Sequence, residues 1–318
     1  MGETLRVGLV GAGRLGEDGY VPALAAAAGV RLAAVAEPDP DRRERIAAAV
    51  GVPDFASAEQ LLAAGGVDAL VLATPAAAHL ADARLGASAG LPVLVEKPPA
   101  ADLAEAVELA CLEPTPWVGF NRRFDAGVAE LRAAVPRDAE VGAILEISYR
   151  RGGWGAHTVR DDALTDLGPH LVDLARWLTG ADVTEVRRAV VTPERAEFDL
   201  GLGAARARIR CVTDRPHRER IEVRHRDGGL VGRIVRGGLL AAVRGRIGPR
   251  GPHPLVASLT AQLEAFARAA RGMPAPTLGT AEDGVAVMAV LEAVRAGMIS
   301  TSAHNRPDVA GGAPKHRS

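Results

Sequence analysis

The chain has 318 residues, enough for two domains that each bury a core, and its 48% apolar and 24% charged content is that of a soluble globular protein. With 38 basic residues against 39 acidic ones the net charge is −1, which favours neither nucleic acid nor an anionic membrane as a partner. No apolar run is long enough for a bilayer and the N-terminus enters a strand-like segment without a signal peptide, so a cytoplasmic protein is expected.

The first expected strand, Leu5–Val10, runs into Gly11-Ala12-Gly13-Arg14-Leu15-Gly16. A helix over Val21–Ala28 and a second strand over Arg31–Ala36 follow, and Glu37 ends that strand. A Gly-x-Gly-x-x-Gly run alone says little. Between a strand and a helix, with an acid about 20 residues further on, it has the full context of a dinucleotide-binding turn. Gly11 makes the tight turn, Gly13 lets a pyrophosphate approach the backbone, and Gly16 lets the helix pack close to the sheet. Arg14 and Leu15 lie in the same loop and join the expected cofactor contacts. Glu37 would accept hydrogen bonds from an adenosine ribose and repel a 2′-phosphate, which argues for NAD. Arg14, Arg42 and Arg43 could accept that phosphate, so NADP stays open.

The alternation continues through helices Asp41–Val50 and Ser57–Ala64 to a strand over Asp68–Ala73 broken by Thr74-Pro75. Helix Ala76–Ala89, strand Pro92–Glu96, helix Leu103–Ala110 and strand Trp117–Phe120 complete a doubly wound parallel sheet. Cys111, and Cys211 further on, have no metal-ligand spacing and read as buried thiols in a reducing compartment. Ligands of such sheets bind beyond the carboxyl ends of the strands. Gly11–Gly16, Glu37, Thr74-Pro75, Lys97 and Asn121-Arg122 all fall on that edge. Lys97 stands out, because Lys97 and Lys315 are the only lysines among the basic residues. An ammonium can take part in proton transfer where a guanidinium cannot.

Beyond Phe124 the period changes. Leu145, Ile147 and Tyr149, then Ala205, Ala207, Ile209 and Cys211, then Ile221 and Val223, alternate with polar residues as in antiparallel strands with one buried face. Between them, Asp166, His170 and Asp173 stand at i, i+4 and i+7 of an expected helix, opposite Leu171, Leu174 and Leu178, with Pro169 suited to its first turn. An Asp–His pair on one face can tune an imidazole for proton transfer; a helix cap with a core histidine is the competing reading. No further His or Cys clusters with these residues, so no metal is expected. Trp154 and His157 lie in the preceding loop and, with Asn121, Arg122 and Tyr149, are candidate substrate contacts. Helices are expected over Leu255–Ala270 and from Thr280, the latter opened by a Thr280–Asp283 capping box. The polar, Gly/Pro-rich segment 301–318 is expected to be disordered.

In order, Gly11-x-Gly13-x-x-Gly16, Thr74-Pro75-x-x-x-His79, Glu96-Lys97-Pro98, Asn121-Arg122-Arg123-Phe124 and Asp166-x-Gly168-x-His170-x-x-Asp173 form a set similar to that of the glucose–fructose oxidoreductase/inositol dehydrogenase/rhizopine-catabolism (Gfo/Idh/MocA) family over residues 1–300. The resemblance implies a Rossmann domain over 1–120 and an α/β domain with an open, mostly antiparallel sheet over 121–300. It implies catalysis by Lys97, Asp166 and His170, with Thr74, Pro75, His79, Glu96 and Lys97 joining the cofactor site. It further implies redox chemistry on a secondary alcohol or ketone of a sugar, cyclitol or related polyol, and homo-oligomers paired through the open sheet face. An NAD-dependent glycosidase and a non-catalytic dinucleotide-binding protein are the alternatives. Three departures surround the pocket: Ala76 follows Thr-Pro in place of Asn, Tyr20 stands where many members have His, and Arg160–Leu164 replaces a glycine-rich run.

Overall fold

A computed structural model describes residues 3–136, 139–150, 161–237 and 253–297. Trp154, His157 and the segment 301–318 lie outside the described residues. The first sheet holds β1 (Leu5–Val10), β2 (Val30–Ala36), β3 (Asp54–Phe55), β4 (Ala69–Leu72), β5 (Val93–Glu96) and β6 (Trp117–Gly119). Its order is β3-β2-β1-β4-β5-β6, and every pairing is parallel. β4 and β5 are buried along their whole length, as continuous apolar strands covered on both faces require. The order reverses at β1, so the crevice between β1 and β4 opens at the carboxyl edge.

The helices of this half are α1 (Val21–Ala26), α2 (Pro40–Val50), α3 (Ala58–Ala64), α4 (Ala76–Ser88) and α5 (Leu103–Ala110). α2 shows how local sequence sets their limits. The Asp39 side chain accepts from the Arg42 N–H, Pro40 takes the first helical position, and Gly51 closes the helix at φ 80°. Before α1 the chain makes a single π-helical turn over Gly16–Tyr20, not foreseen from the sequence.

The second sheet has the order β12-β11-β7-β10-β9-β8. Its strands are β7 (Val141–Arg150), β8 (Glu185–Thr192), β9 (Arg195–Leu202), β10 (Ala205–Val212), β11 (Asp214–His225) and β12 (Leu230–Gly237). Only β7 and β10 pair in parallel. The alternating residues of β7, β10 and β11 face a core that includes Leu145, Ile209 and Ile221, each fully buried. Removing a side chain of that size from water contributes roughly 1.5–3 kcal/mol. The opposite face, expected to be polar, is an alternation of charges. Glu222 is held by Arg220 and Arg224 at 3.0 and 2.6 Å, Asp199 by Arg208 at 3.0 Å, and Glu197 by Arg210 at 2.9 Å.

Four further helices complete the described chain: α6 (Ala126–Ala134), α7 (Ala163–Thr179), α8 (Pro254–Ala269) and α9 (Ala281–Arg295). α7 starts earlier than Pro169 suggests. Asp162 caps it by accepting from the Thr165 N–H at 2.8 Å, so Pro169 sits inside the helix. Although α8 follows the second sheet in sequence, it packs on the first. Leu259, Leu263 and Phe266 share a core with Val7, Leu9 and Leu94, and the Phe266 ring meets Trp117 edge-on at 5.8 Å. The Thr280–Asp283 capping box forms as expected. Cys211 is buried, but Cys111 is exposed, because it ends α5 on the outer surface. No helix among the described residues is long and apolar enough to cross a membrane.

Candidate active site

The glycine turn sits at the β1 carboxyl end. Gly11 has φ 93° and donates its N–H to Ala36 O at 2.8 Å; a Cβ there would lie 2.6 Å from the Ala73–Thr74 backbone. Gly16 is equally confined, its missing Cβ 2.4 Å from Gly11 O. Around Gly13 a Cβ would meet no protein atom within 4 Å. Two glycines are therefore required by the fold, while the third keeps an open cradle into which a pyrophosphate fits. Glu37 is 6% exposed at the end of β2, and its carboxylate accepts from the Ala12 N–H at 2.8 Å and the Asp39 N–H at 3.2 Å. These bonds aim a fixed negative charge at the place of an adenosine ribose. The three nearby arginines are already matched: Arg14 with Asp18 at 3.3 Å, Arg42 with Glu37 at 3.6 Å, and Arg43 with Asp54 at 2.9 Å.

Thr74 and Pro75 connect β4 to α4, and the Thr74 hydroxyl donates to Asp82 at 3.2 Å. His79, expected among the cofactor contacts, is 1% exposed. Its ring nitrogens face Thr74 O at 2.8 Å and Pro98 O at 3.0 Å, so it pins the two loops together from beneath the crevice. Burial holds its pKa below the ordinary histidine value. Glu96 is likewise an underpinning group. Its carboxylate takes the Tyr20 hydroxyl at 2.5 Å and the Lys97 N–H at 3.0 Å, and Gln262 of α8 donates to the Tyr20 oxygen at 3.1 Å. Burial pushes the Glu96 carboxyl up, against the stabilising Tyr20 bond and the Lys97 charge. Gly119 is where it is because a Cβ would come within 2.9 Å of the Glu96 carboxylate.

Lys97 follows β5 at the same edge, and its ammonium donates to the main-chain oxygen of Asp166 at 3.1 Å. That contact carries α7 of the second sheet to the nucleotide crevice. His170 lies one turn beyond Asp166, its Nδ1 buried without a hydrogen-bond partner. Its pKa is held well below the ordinary value, first by burial and then by the positive charges of Lys97 and Arg122. The expected Asp166–His170 bond does not form among the described residues. The phenol of Tyr149, from β7, donates to the Asp166 carboxylate instead.

The other expected contacts divide. Arg122 stands near His170 and pairs with the buried Glu219 at 2.7 Å, which Arg236 also meets at 3.4 Å. Asn121 is 7% exposed and donates to Ser258 of α8 at 3.1 Å, which links the turn after β6 to α8. Asp173 does not join the acid–base face. It is 1% exposed and held by Arg123, whose guanidinium reaches it at 2.5 Å and Asp283 at 2.8 Å and lies over the Trp177 ring. Arg123, Glu219 and Gln262 are the site-supporting residues that sequence alone does not single out, since each works through a distant partner.

A glycine turn at the switch point of a parallel sheet, an acid at the end of β2, and a lysine at the end of β5 met by an Asp and a His on a helix of the second sheet define a dinucleotide-binding Rossmann unit joined to an open, mostly antiparallel α/β unit. Residues 5–115 match the profile of the GFO_IDH_MocA oxidoreductase family, NAD-binding Rossmann fold. The rhizopine catabolism protein MocA of Rhizobium meliloti is 31% identical over 91% of this chain and 93% of its own length. The inositol 2-dehydrogenase of Leifsonia xyli subsp. xyli is 37% identical over 60% of each chain. The chain thus spans about three-fifths of the inositol dehydrogenases it matches in sequence. A solved putative myo-inositol dehydrogenase from Sinorhizobium meliloti 1021 superposes with a TM-score of 0.74 at 25% identity, over 92% of this chain and 97% of that one. The chain belongs to the Gfo/Idh/MocA family.

Proposed function

We propose that the protein is an NAD-dependent dehydrogenase or reductase acting on a secondary alcohol or ketone of a sugar, cyclitol or related polyol. The observation that carries this reading is the meeting of Lys97, Asp166 and His170 at the carboxyl edge of the nucleotide-binding sheet. The open space over Gly13 and the fixed Glu37 carboxylate fit NAD, which when bound supplies a nicotinamide able to accept or give a hydride. Gly11–Gly16, Glu37, Thr74 and Pro75 would hold it.

In the oxidative direction the neutral His170 takes the substrate hydroxyl proton. Burial and two neighbouring cations keep it free of its own proton, which suits a base. The Lys97 ammonium donates to the same oxygen and stabilises negative charge as it develops there. In the reductive direction the group returns the proton. Asp166 serves by anchoring, with its main-chain oxygen on Lys97 and its carboxylate on Tyr149. Relatives named inositol 2-dehydrogenase support a cyclitol substrate.

The charged face of the second sheet is where we place homo-oligomer contacts, with light scattering as the check. A cytoplasmic setting accords with two unpaired cysteines. The test of function is the change in NADH absorbance with NAD or NADP against a panel of inositols, aldoses and ketoses. Turnover of at least one with NAD is expected. Cofactor binding without turnover across the panel, or net glycoside hydrolysis, would overturn the reading.

A further inference from the structure

The chain has only two tyrosines, and both give their hydroxyls to carboxylates of residues that contact Lys97: Tyr20 to Glu96, which takes the Lys97 N–H, and Tyr149 to Asp166, whose main-chain oxygen takes the Lys97 ammonium. The first explains itself, since a carboxylate this deeply buried needs donors. The second is different, because Asp166 is only partly buried and has another partner within reach. His170 is four residues along the same helix, close enough for side chains at i and i+4 to meet. Yet among the described residues Nδ1 of His170 has no acceptor, and the carboxylate lies on the phenol.

We propose that Tyr149 is a positioning residue that holds the Asp166 carboxylate turned away from His170, leaving the imidazole without an anionic partner. This rests on the proton-transfer role assigned to His170 above. Among the described residues, the charged groups that act on that ring are positive. Lys97 comes from the end of β5 and Arg122 from the turn after β6. From α9, Arg295 is spent on Asp162 at 2.7 Å, and Arg123 is spent on Asp173. Asp166, one turn back on the same helix, is a carboxylate placed to turn onto His170, and Tyr149 decides whether it does. Held as it is, His170 stays unprotonated and competent as a base into the acid range. Released, Asp166 would pair with it and raise its pKa by ~1–3 units.

The experiment is a histidine-ring NMR titration of the full chain, with His170→Gln identifying the signal among the eight histidines. In wild type, His170 should titrate below ~6.5. Tyr149→Phe should raise it by ~1 unit or more, with the acid limb of kcat/KM for oxidation moving up in parallel. Asp166→Asn should leave it near the wild-type value, and in the double variant it should return there. An unmoved His170 in Tyr149→Phe, with only KM increased, would make the phenol a simple substrate contact and overturn the proposal. So would a fall of ~1 unit or more in Asp166→Asn, because the carboxylate would already face the ring. The Asp166→Asn arm keeps the phenol in the sheet and decides the question if Tyr149→Phe does not fold. Because the titration needs no turnover, failure of the proposed reaction is read separately.

Discussion

Replacing Arg123 with methionine tests what fixes the catalytic helix. Asp173 is 1% exposed, and among the described residues the hydrogen bonds to its carboxylate all come from Arg123. Burial already pushes the Asp173 carboxyl up against the attraction of that guanidinium. Methionine fills most of the volume and removes the charge, which leaves a buried carboxylate without a donor. Breaking such a pair from one side costs about 3–5 kcal/mol. At roughly 2–4 °C per kcal/mol for domains of 150–250 residues, the thermal midpoint should fall by roughly 6–20 °C. The penalty depends on pH in a fixed direction. Without Arg123 the folded pKa of Asp173 rises further above its unfolded value, so destabilisation is full at neutral pH. It fades as the pH falls through that raised value toward the ordinary aspartate range. Arg123→Met/Asp173→Leu removes both charges and should recover most of the loss, since Asp283 keeps Arg176 at 2.8 Å. Thermal and urea melts of wild type and the two variants at two pH values measure all of this. Arg123→Met within ~1 kcal/mol of wild type, or a double variant no more stable than the single, would refute the reasoning and make the pair an ordinary exposed bridge.

Lys97→Arg keeps the charge but not the compact, rotatable donor, and should cut turnover by ~100-fold or more while NAD affinity stays nearly intact; wild-type turnover would remove Lys97 from the chemistry. Glu37, with its neighbouring arginines neutralised, should give tighter binding of NAD(H) than of NADP(H) by ~10-fold or more in calorimetry, and Glu37→Ser should narrow the gap. Tighter NADP(H) binding by the native chain would show that a guanidinium dominates the carboxylate. Gly13→Val should melt like wild type and lose NAD affinity by ~10-fold or more, whereas Gly11→Ala should destabilise the fold itself, because at Gly11, unlike Gly13, the added carbon would strike backbone.

The first sheet is readable in the sequence because its signals are local. Continuous apolar runs mark β1, β4 and β5, and turn chemistry at Gly11–Gly16 and Thr74-Pro75 marks their ends. What escapes there is short: the two-residue β3 and the π turn over Gly16–Tyr20. In the second sheet β7, β10 and β11 announce themselves by alternation, but β8 and β12 lie at the edges. β8 buries only Val186, and β12 buries nothing fully, so neither shows a clean period of two. β9 does carry one, in Ala196, Phe198, Leu200 and Leu202, which the three-strand expectation left out. The fold of α8 onto the first sheet had no local signal, since an apolar stripe says that a helix packs and not on what.

The site divides along the same line. That Lys97, Asp166 and His170 matter follows from residue type and spacing; how they are paired does not, because the deciding partners are far away in sequence. Tyr149 reaches Asp166 across 17 residues, Arg123 reaches Asp173 across 50, and Tyr20 reaches Glu96 across 76. Helical spacing at i, i+4 and i+7 permits an Asp–His–Asp row equally well whether or not its members touch. In the folded chain the first acid turns to a phenol and the last to a guanidinium, leaving the imidazole between two carboxylates that are both otherwise engaged. A chain so heavily biased toward arginine, with two lysines and two tyrosines in all, nevertheless sets both tyrosines on the two acidic residues that contact Lys97. Arginine can supply charge anywhere on this protein, but it can neither share a proton nor present a neutral hydroxyl to a carboxylate. The rare residues collect where those two abilities are needed, so in a sequence of skewed composition the scarce side chains locate the chemistry better than the abundant ones.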